Sequence, residues 1–230
     1  MVIGLTGGMG TGKSSVASLL VERGAVLVDA DALAHEVMAP GGPAYGPVIE
    51  RFGQGIVDGR GVIDRRALAD VVFADPVARR DLEALVHPPV LGAIDRRLAA
   101  EAATDHVVVV VVPLLVEAGW DRADTVVVVD ASEEVAVRRL VENRGMAEDD
   151  VRRRLAAQAD RATRLAHADH VITNDGSLDD LRRQVDALWE ALLGSGDAQG
   201  GSSDPERNQN AGPAASAPRP PLDRRGDGPR

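Results

Sequence analysis

Residues 2–14, Val2-Ile3-Gly4-Leu5-Thr6-Gly7-Gly8-Met9-Gly10-Thr11-Gly12-Lys13-Ser14, read as a strand that runs straight into a glycine-rich turn and then a helix. The opening is small, apolar and β-branched, the pattern of a buried strand. Gly7 to Ser14 satisfies the spacing G-x-x-x-x-G-K-[ST], and a helical pattern over Lys13 to Arg23 follows at once. Glycines let the chain turn so sharply that successive N–H groups converge on one point, and a helix starting there adds the positive end of its dipole. A nest of this kind suits phosphate. The residues expected to hold ATP are Gly8, Met9, Gly10, Thr11, Gly12, Lys13, Ser14 and Ser15, with the Lys13 ammonium on the β- and γ-phosphates and the Ser14 hydroxyl on Mg²⁺. The alternative is a glycine-rich turn that binds no nucleotide. Lys13 is the single lysine of the chain; all its other basic positions are arginine.

Outward from this segment, four further runs read as strands: Ala25 to Asp29, His106 to Val112, Thr125 to Asp130 and His170 to Asn174. Most are almost continuously apolar, as strands covered by helices on both faces must be. Helical patterns lie between them, over Glu133 to Asn143, Glu148 to Asp160 and Leu178 to Leu193, with Ser132 and Ser177 placed as N-caps. The expected architecture is therefore α/β: a three-layer fold with a five-stranded parallel sheet. Residues 32–105 separate the second and third strands by far more than one crossover helix and are expected to form an inserted helical subdomain. Residues 1–193 form the predicted domain, and 194–230, rich in Gly, Pro, Ser, Asn and Gln, are expected to be a disordered tail.

Composition excludes several functions. There is no Cys, so disulfides, cysteine-ligated zinc and thiol catalysis are out. A formal charge of −10 argues against coating nucleic acid, which needs many cations on phosphates. The longest apolar run, Val107 to Val116, is far below the roughly 20 residues of a membrane span, and no basic leader precedes the first strand. A cytoplasmic protein is expected, with no membrane, nucleic-acid or obligatory protein partner.

A P-loop alone does not separate a kinase from a GTPase or an ATPase. The guanine-reading N-K-x-D element needs a lysine outside the loop, and none exists. ATPases carry a strand ending in an acid that holds Mg²⁺ through water; Val107 to Val112 runs into Pro113, but Asp29 and Asp130 do end strands, so an ATPase stays open beside a small-molecule kinase. Asp29-Ala30-Asp31 follows the second strand, at the sheet edge where α/β folds bind ligands. Asp31 is the candidate base for an attacking hydroxyl. Asp29 either serves Mg²⁺ or caps the following helix. Eight arginines, 138, 139, 144, 152, 153, 154, 161 and 164, could fold over a triphosphate as a lid across about 138–165 or form a solvated basic face.

Taken in order, Gly4 to Ser14, Val28-Asp29-Ala30-Asp31, Val86-His87-Pro88, Val112-Pro113-Leu114-Leu115-Val116-Glu117, Ala156-Ala157-Gln158, Ala168-Asp169 and Ile172-Thr173-Asn174-Asp175-Gly176 resemble the dephospho-CoA kinase family from Ile3 to about Trp189. The resemblance implies phosphoryl transfer from ATP, with Mg²⁺, to the ribose 3′-hydroxyl of dephospho-CoA, the last step of coenzyme A synthesis. It implies an inserted acceptor-binding domain and a lid. It places Asp31 as the base and Arg139 and Gln158 in the lid region, Gln158 on the substrate. Asn174 and Gly176 fall in a loop beside adenine. His87 falls toward the acceptor, although it could instead end a helix before Pro88-Pro89. Two positions depart from the family: His35, where many relatives carry Arg, and Val111, where some carry an acid. Magnesium is then left to Ser14 with Asp29 or Asp31.

Overall fold

The computed structural model describes residues 1–112, 122–158 and 160–194. Five parallel strands, β1 (Val2–Gly7), β2 (Val26–Asp29), β3 (Val108–Val111), β4 (Thr125–Asp130) and β5 (His170–Thr173), form one sheet in the order β2-β3-β1-β4-β5. β1 sits at the centre, with Ile3 opposite Val109 on one side and Thr125 on the other. Because side chains alternate along a strand, Val108, Val110, Val126 and Val128 point to one face and join a core with Leu33, Val37, Val48 and Ile94. Ile3, Leu5, Val109, Val127 and Val129 are also fully buried, so both faces are covered. Each such side chain contributes about 1.5–3 kcal/mol on leaving water, which is why near-continuous valine selects this arrangement.

The helices are α1 (Lys13–Glu22), α2 (Ala30–Val37), α3 (Tyr45–Phe52), α4 (Arg65–Ala74), α5 (Pro76–Glu101), α6 (Glu133–Arg144), α7 (Glu148–Ala156), α8 (Arg161–Ala166) and α9 (Leu178–Gly194), with a 3₁₀ turn at Gln54–Ile56. Residues 32–105 are helical in several pieces, and their buried Val48, Ile56, Leu68, Val90 and Ile94 share one core with the sheet. The chain divides into two compact units, Met1–Trp189 and Glu190–Arg230. Of the second, residues 190–194 continue α9 and the remainder, including the expected tail, lies outside the described residues, as do Pro113 to Glu117 of the quoted motif. No helix among the described residues is long and apolar enough to cross a membrane.

Three local readings are corrected, at His87, at Asp160 and at Ser132. α5 does not end at His87: it passes through Pro88 and Pro89 and continues to Glu101. Each proline removes a helical hydrogen bond, at a cost of up to about 3 kcal/mol, but Val86, Val90, Ala93 and Ile94 are buried on both sides of the pair and hold the two halves on one core. The helix expected over Glu148 to Asp160 is shorter, and Asp160 belongs to the start of the next one. α7 stops at Ala156, and Asp160 caps α8, its Oδ1 accepting from Thr163 N at 2.8 Å. Aspartate belongs at an N-cap, where its carboxylate meets orphan amides. Ser177 behaves as expected, in a reciprocal box in which Asp180 N donates to Ser177 Oγ at 3.2 Å and Ser177 N donates to Asp180 Oδ2 at 3.0 Å. Ser132 precedes α6 without capping it, since its hydroxyl donates to Asp175 at 3.1 Å.

Candidate active site

At the C-terminal edge of the sheet the glycine-rich loop closes around a point above β1. Gly12 has φ 94° and starts α1; a Cβ there would lie 2.2 Å from Asn174 Nδ2, so only glycine fits by backbone and by space. Thr11 Oγ1 donates to Gly8 O at 3.0 Å, and Lys13 Nζ donates to Gly7 O at 2.7 Å and Gly8 O at 2.9 Å. Met9 N donates to Gln158 Oε1 at 3.0 Å, and Asn174 Nδ2 donates to Thr11 O at 2.8 Å. The amides of Lys13 and Ser14 open α1 and have no acceptor among the described residues, as the geometry of a helix start requires.

The loop borders a cavity of about 680 Å³, within the range of small-molecule sites. Gly10, Gly12, Lys13, Ser14, Ser15, Asn174 and Gly176 line it on the nucleotide side; Asp29, Asp31, Arg139 and Arg144 line it as charged groups, with Leu27, Val111 and Leu178 among the apolar ones. Gly8, Met9 and Thr11 build the loop behind this wall. Gln158 does not line the cavity and instead holds Met9. His87 is exposed on α5 and is not part of the wall. Asp29 caps α2, its Oδ1 accepting from Asp31 N at 2.8 Å and Ala32 N at 3.3 Å, which leaves Oδ2 outside the cap. His35 rests against Arg65, whose Nη1 lies 3.3 Å from His35 Nδ1.

Burial lowers the Lys13 pKa to about 8, reinforced by Arg164 and Arg144 and opposed by Asp31. Desolvation, then the Asp29 carboxylate, raises Asp31 above the usual carboxylate range against the pull of Lys13, His35 and Arg144. Buried Arg139 Nη1 has no partner among the described residues. An unsatisfied guanidinium N–H costs about 1–3 kcal/mol until an acceptor meets it, so the cavity is built for an anion. A triphosphate fits that demand. With Lys13 on the phosphates its charged form would be favoured, so nucleotide affinity should be flat below pH 8 and fall up to tenfold per pH unit above about 8. Calorimetry at pH 9 in two buffers of different ionisation enthalpy should show uptake approaching one proton; no uptake would remove Lys13 from the phosphates.

The arginines divide by role. Arg139 and Arg144 line the cavity, and Arg164 lies by the loop, with Nη2 3.2 Å from where a Gly8 Cβ would stand. Arg152 pairs with Glu133 and Glu148, Arg153 with Asp150, Arg154 lies 4.8 Å over the Phe73 ring, and Arg138 is exposed. The Arg161 side chain takes the buried Asp130 carboxylate at 2.6–3.0 Å. Asp130 thus spends its charge on an ion pair, and it is absent from the cavity wall. Arg144 had no individual signal in the sequence except Gly145, which ends α6 at φ 61° and leaves that side chain at the cavity.

A central strand running into a phosphate nest, with two acids and three arginines gathered around it at the sheet's C-terminal edge, defines a P-loop kinase. The family model of dephospho-CoA kinase matches residues 1–180. The chain belongs to the dephospho-CoA kinase family and is a kinase that uses ATP. It is 52% identical over 192 residues to a dephospho-CoA kinase of Streptomyces avermitilis, covering 83% of this chain and 93% of that one. A dephospho-CoA kinase of Symbiobacterium thermophilum is 41% identical over 98% of each chain. A Thermus thermophilus crystal structure superposes with a TM-score of 0.72 at 36% identity, covering 84% of this chain and 97% of that one. The dephospho-CoA kinase of Campylobacter jejuni, at TM-score 0.60 and 21% identity over 83% of this chain and 96% of its own, shares the fold.

Proposed function

We propose that the protein transfers the γ-phosphoryl group of ATP to the ribose 3′-hydroxyl of dephospho-CoA, giving CoA and ADP. The observation that carries this is the meeting of Lys13, Asp31 and the unpartnered Arg139 Nη1 on one cavity wall, in a chain 52% identical to a dephospho-CoA kinase. The acceptor O3′ forms a bond to Pγ as the bond from Pγ to the β,γ-bridging oxygen breaks, and Asp31 takes the O3′ proton. Its raised pKa brings it nearer the working pH of a base. Lys13, Arg139 and Arg144 offset the charge that spreads over the transferring group and gathers on the leaving ADP.

Magnesium, held by the Ser14 hydroxyl with Asp29 or Asp31 nearby and the phosphates themselves, would supply neutralisation of the β- and γ-oxygens. Those three residues share the wall, and Mg²⁺ asks for only one or two carboxylates beside phosphate and water. Residues 32–105 are assigned to acceptor binding and the α6–α8 region to a lid that excludes water. Gln158 is assigned to holding Met9 in place. An enzyme consuming ATP works where ATP is kept, so the cytoplasm is its inferred location.

Purified protein with ATP, Mg²⁺ and dephospho-CoA should release ADP and CoA in equal amounts. Turnover confined to another alcohol would move the acceptor assignment and leave the kinase standing. Hydrolysis without acceptor dependence would favour an ATPase, a reading weakened here by the commitment of Asp130 to Arg161.

A further inference from the structure

We infer that Asn174 is a positioning residue for the phosphate site, shaping the P-loop with one end of its amide and aiming Arg139 with the other, and that it does not read the adenine base. Asn174 follows β5 and is only 6% exposed. Its backbone N donates to Asp130 O at 2.7 Å, which fixes it at the sheet edge. Nδ2 donates to Thr11 O at 2.8 Å, and Oδ1 accepts from Arg139 Nη2 at 3.4 Å. These two partners dictate the orientation of the amide. Turned over, it would set its oxygen against the Thr11 carbonyl and its NH₂ against a guanidinium, losing both bonds and gaining two repulsions.

The same side chain fills the space that glycine leaves at position 12, since Nδ2 lies 2.2 Å from where a Gly12 Cβ would be. Arg139 Nη1, buried and unpartnered among the described residues, lies 3.9 Å from that point. Three elements far apart in sequence therefore meet on one amide: the loop before α1, the middle of α6 and the start of the β5–α9 connection. Although Asn174 borders the cavity, it is only 6% exposed and its amide is committed at both ends, Nδ2 to Thr11 O and Oδ1 to Arg139, which turns it toward the loop and the guanidinium and away from a purine. What it controls is where the Thr11–Gly12 peptide stands and where the free arm of Arg139 points, and both concern phosphate.

This inference rests on the P-loop holding the phosphates of ATP, and inorganic tripolyphosphate, which has those phosphates and no base, separates the two ideas. Tripolyphosphate should inhibit the unaltered enzyme competitively against ATP; if it does not bind, the phosphate reading of the loop falls and this inference with it. In Asn174→Asp the acceptor for Arg139 is kept while the donor to Thr11 O is lost, and in Asn174→Ala both are lost. KM for ATP and Ki for tripolyphosphate should rise together, by roughly tenfold or more, so that their ratio stays within about twofold of the unaltered enzyme. In an Arg139→Gln background the further cost of Asn174→Ala should be clearly smaller than in the unaltered protein. Weaker ATP binding with unchanged tripolyphosphate binding, a shift in preference between ATP and GTP, no change in either constant, or fully multiplicative losses in the double variant would each overturn the assignment. Should the buried carboxylate of Asn174→Asp prevent folding, Asn174→Ala carries the same comparison.

Discussion

Lys13→Ala should lower kcat/KM for ATP by about a thousandfold or more, with the protein still folded. Removing one preorganised donor from a charged transition state costs on the order of 10²–10³ in rate, and a full ammonium at the β- and γ-phosphates is worth at least that much. Arg139 and Arg144 do not replace it, because Nζ is tethered to the loop itself, through Gly7 O at 2.7 Å and Gly8 O at 2.9 Å. The fold should not object. The folded-state pKa of Lys13, about 8, lies below its usual 10.5, so its charged form is disfavoured by folding. That unfavourable contribution is fully present below about pH 8 and is relieved as the pH climbs from 8 toward 10.5. Removing the side chain at neutral pH takes this strain away along with the two carbonyl contacts. Steady-state kinetics beside a thermal melt decide the matter: a variant that turns over within tenfold of the unaltered enzyme would put the phosphates elsewhere.

Asp31→Asn should lower kcat by roughly 10²–10⁴ while KM for ATP moves by less than about threefold. The amide keeps the size of the carboxylate but cannot take the acceptor proton. Because Asp31 is raised above ordinary carboxylates by desolvation and by Asp29, the unaltered enzyme should lose activity on the acid side at a pH higher than a free aspartate would dictate. That acid limb should be missing from the Asn variant. A parallel loss of ATP affinity and turnover, with the acid limb intact, would assign Asp31 to the metal or the nucleotide and leave the base to be found.

Much of the fold was legible in the sequence because its three central strands, β1, β3 and β4, are buried on both faces, while the edge strands β2 and β5 leave Leu27 and Val171 exposed. A run such as Val107 to Val112 is far too short to cross a membrane and reads as a buried strand, and five strand-like runs separated by helices leave a parallel sheet as the economical solution. The phosphate loop was legible for a different reason: its spacing is fixed by backbone geometry, and Gly12 is required twice over. Sequence patterns served less well where tertiary packing overrides local preference. Pro88-Pro89 looked like a stop because proline breaks helices, but the core on either side holds α5 together. The arginines looked alike along the chain; only the turn at Gly145 and the acids at 130, 133, 148 and 150 separate those that face the cavity from those spent in surface pairs. Asn174 carried a family expectation of neighbouring a base, and its two hydrogen bonds, to residues 163 and 35 positions away, appear only once the chain is folded.

Val108, Val110, Val126 and Val128 of β3 and β4 share a hydrophobic cluster with Val48, Leu68 and Ile94, whereas Val137, Leu140 and Val151 form a small separate cluster against which Met9 packs. The two flanks of the cavity therefore have unequal mechanical freedom. On the flank formed by residues 32–105, stiffness is inherited from the sheet, and a cavity-forming change at Ile94 should weaken the shared core as a whole. On the α6–α8 flank, Val137, Leu140 and Val151 hold α6 to α7 with Met9 of the loop against them, while α8 is fastened separately, by Leu165 on the main cluster and by Arg161 on Asp130. Met9 therefore joins two attachments of that region to the loop, its side chain on the small cluster and its backbone N donating to Gln158 Oε1 at 3.0 Å, and a change at Met9 should be felt in both.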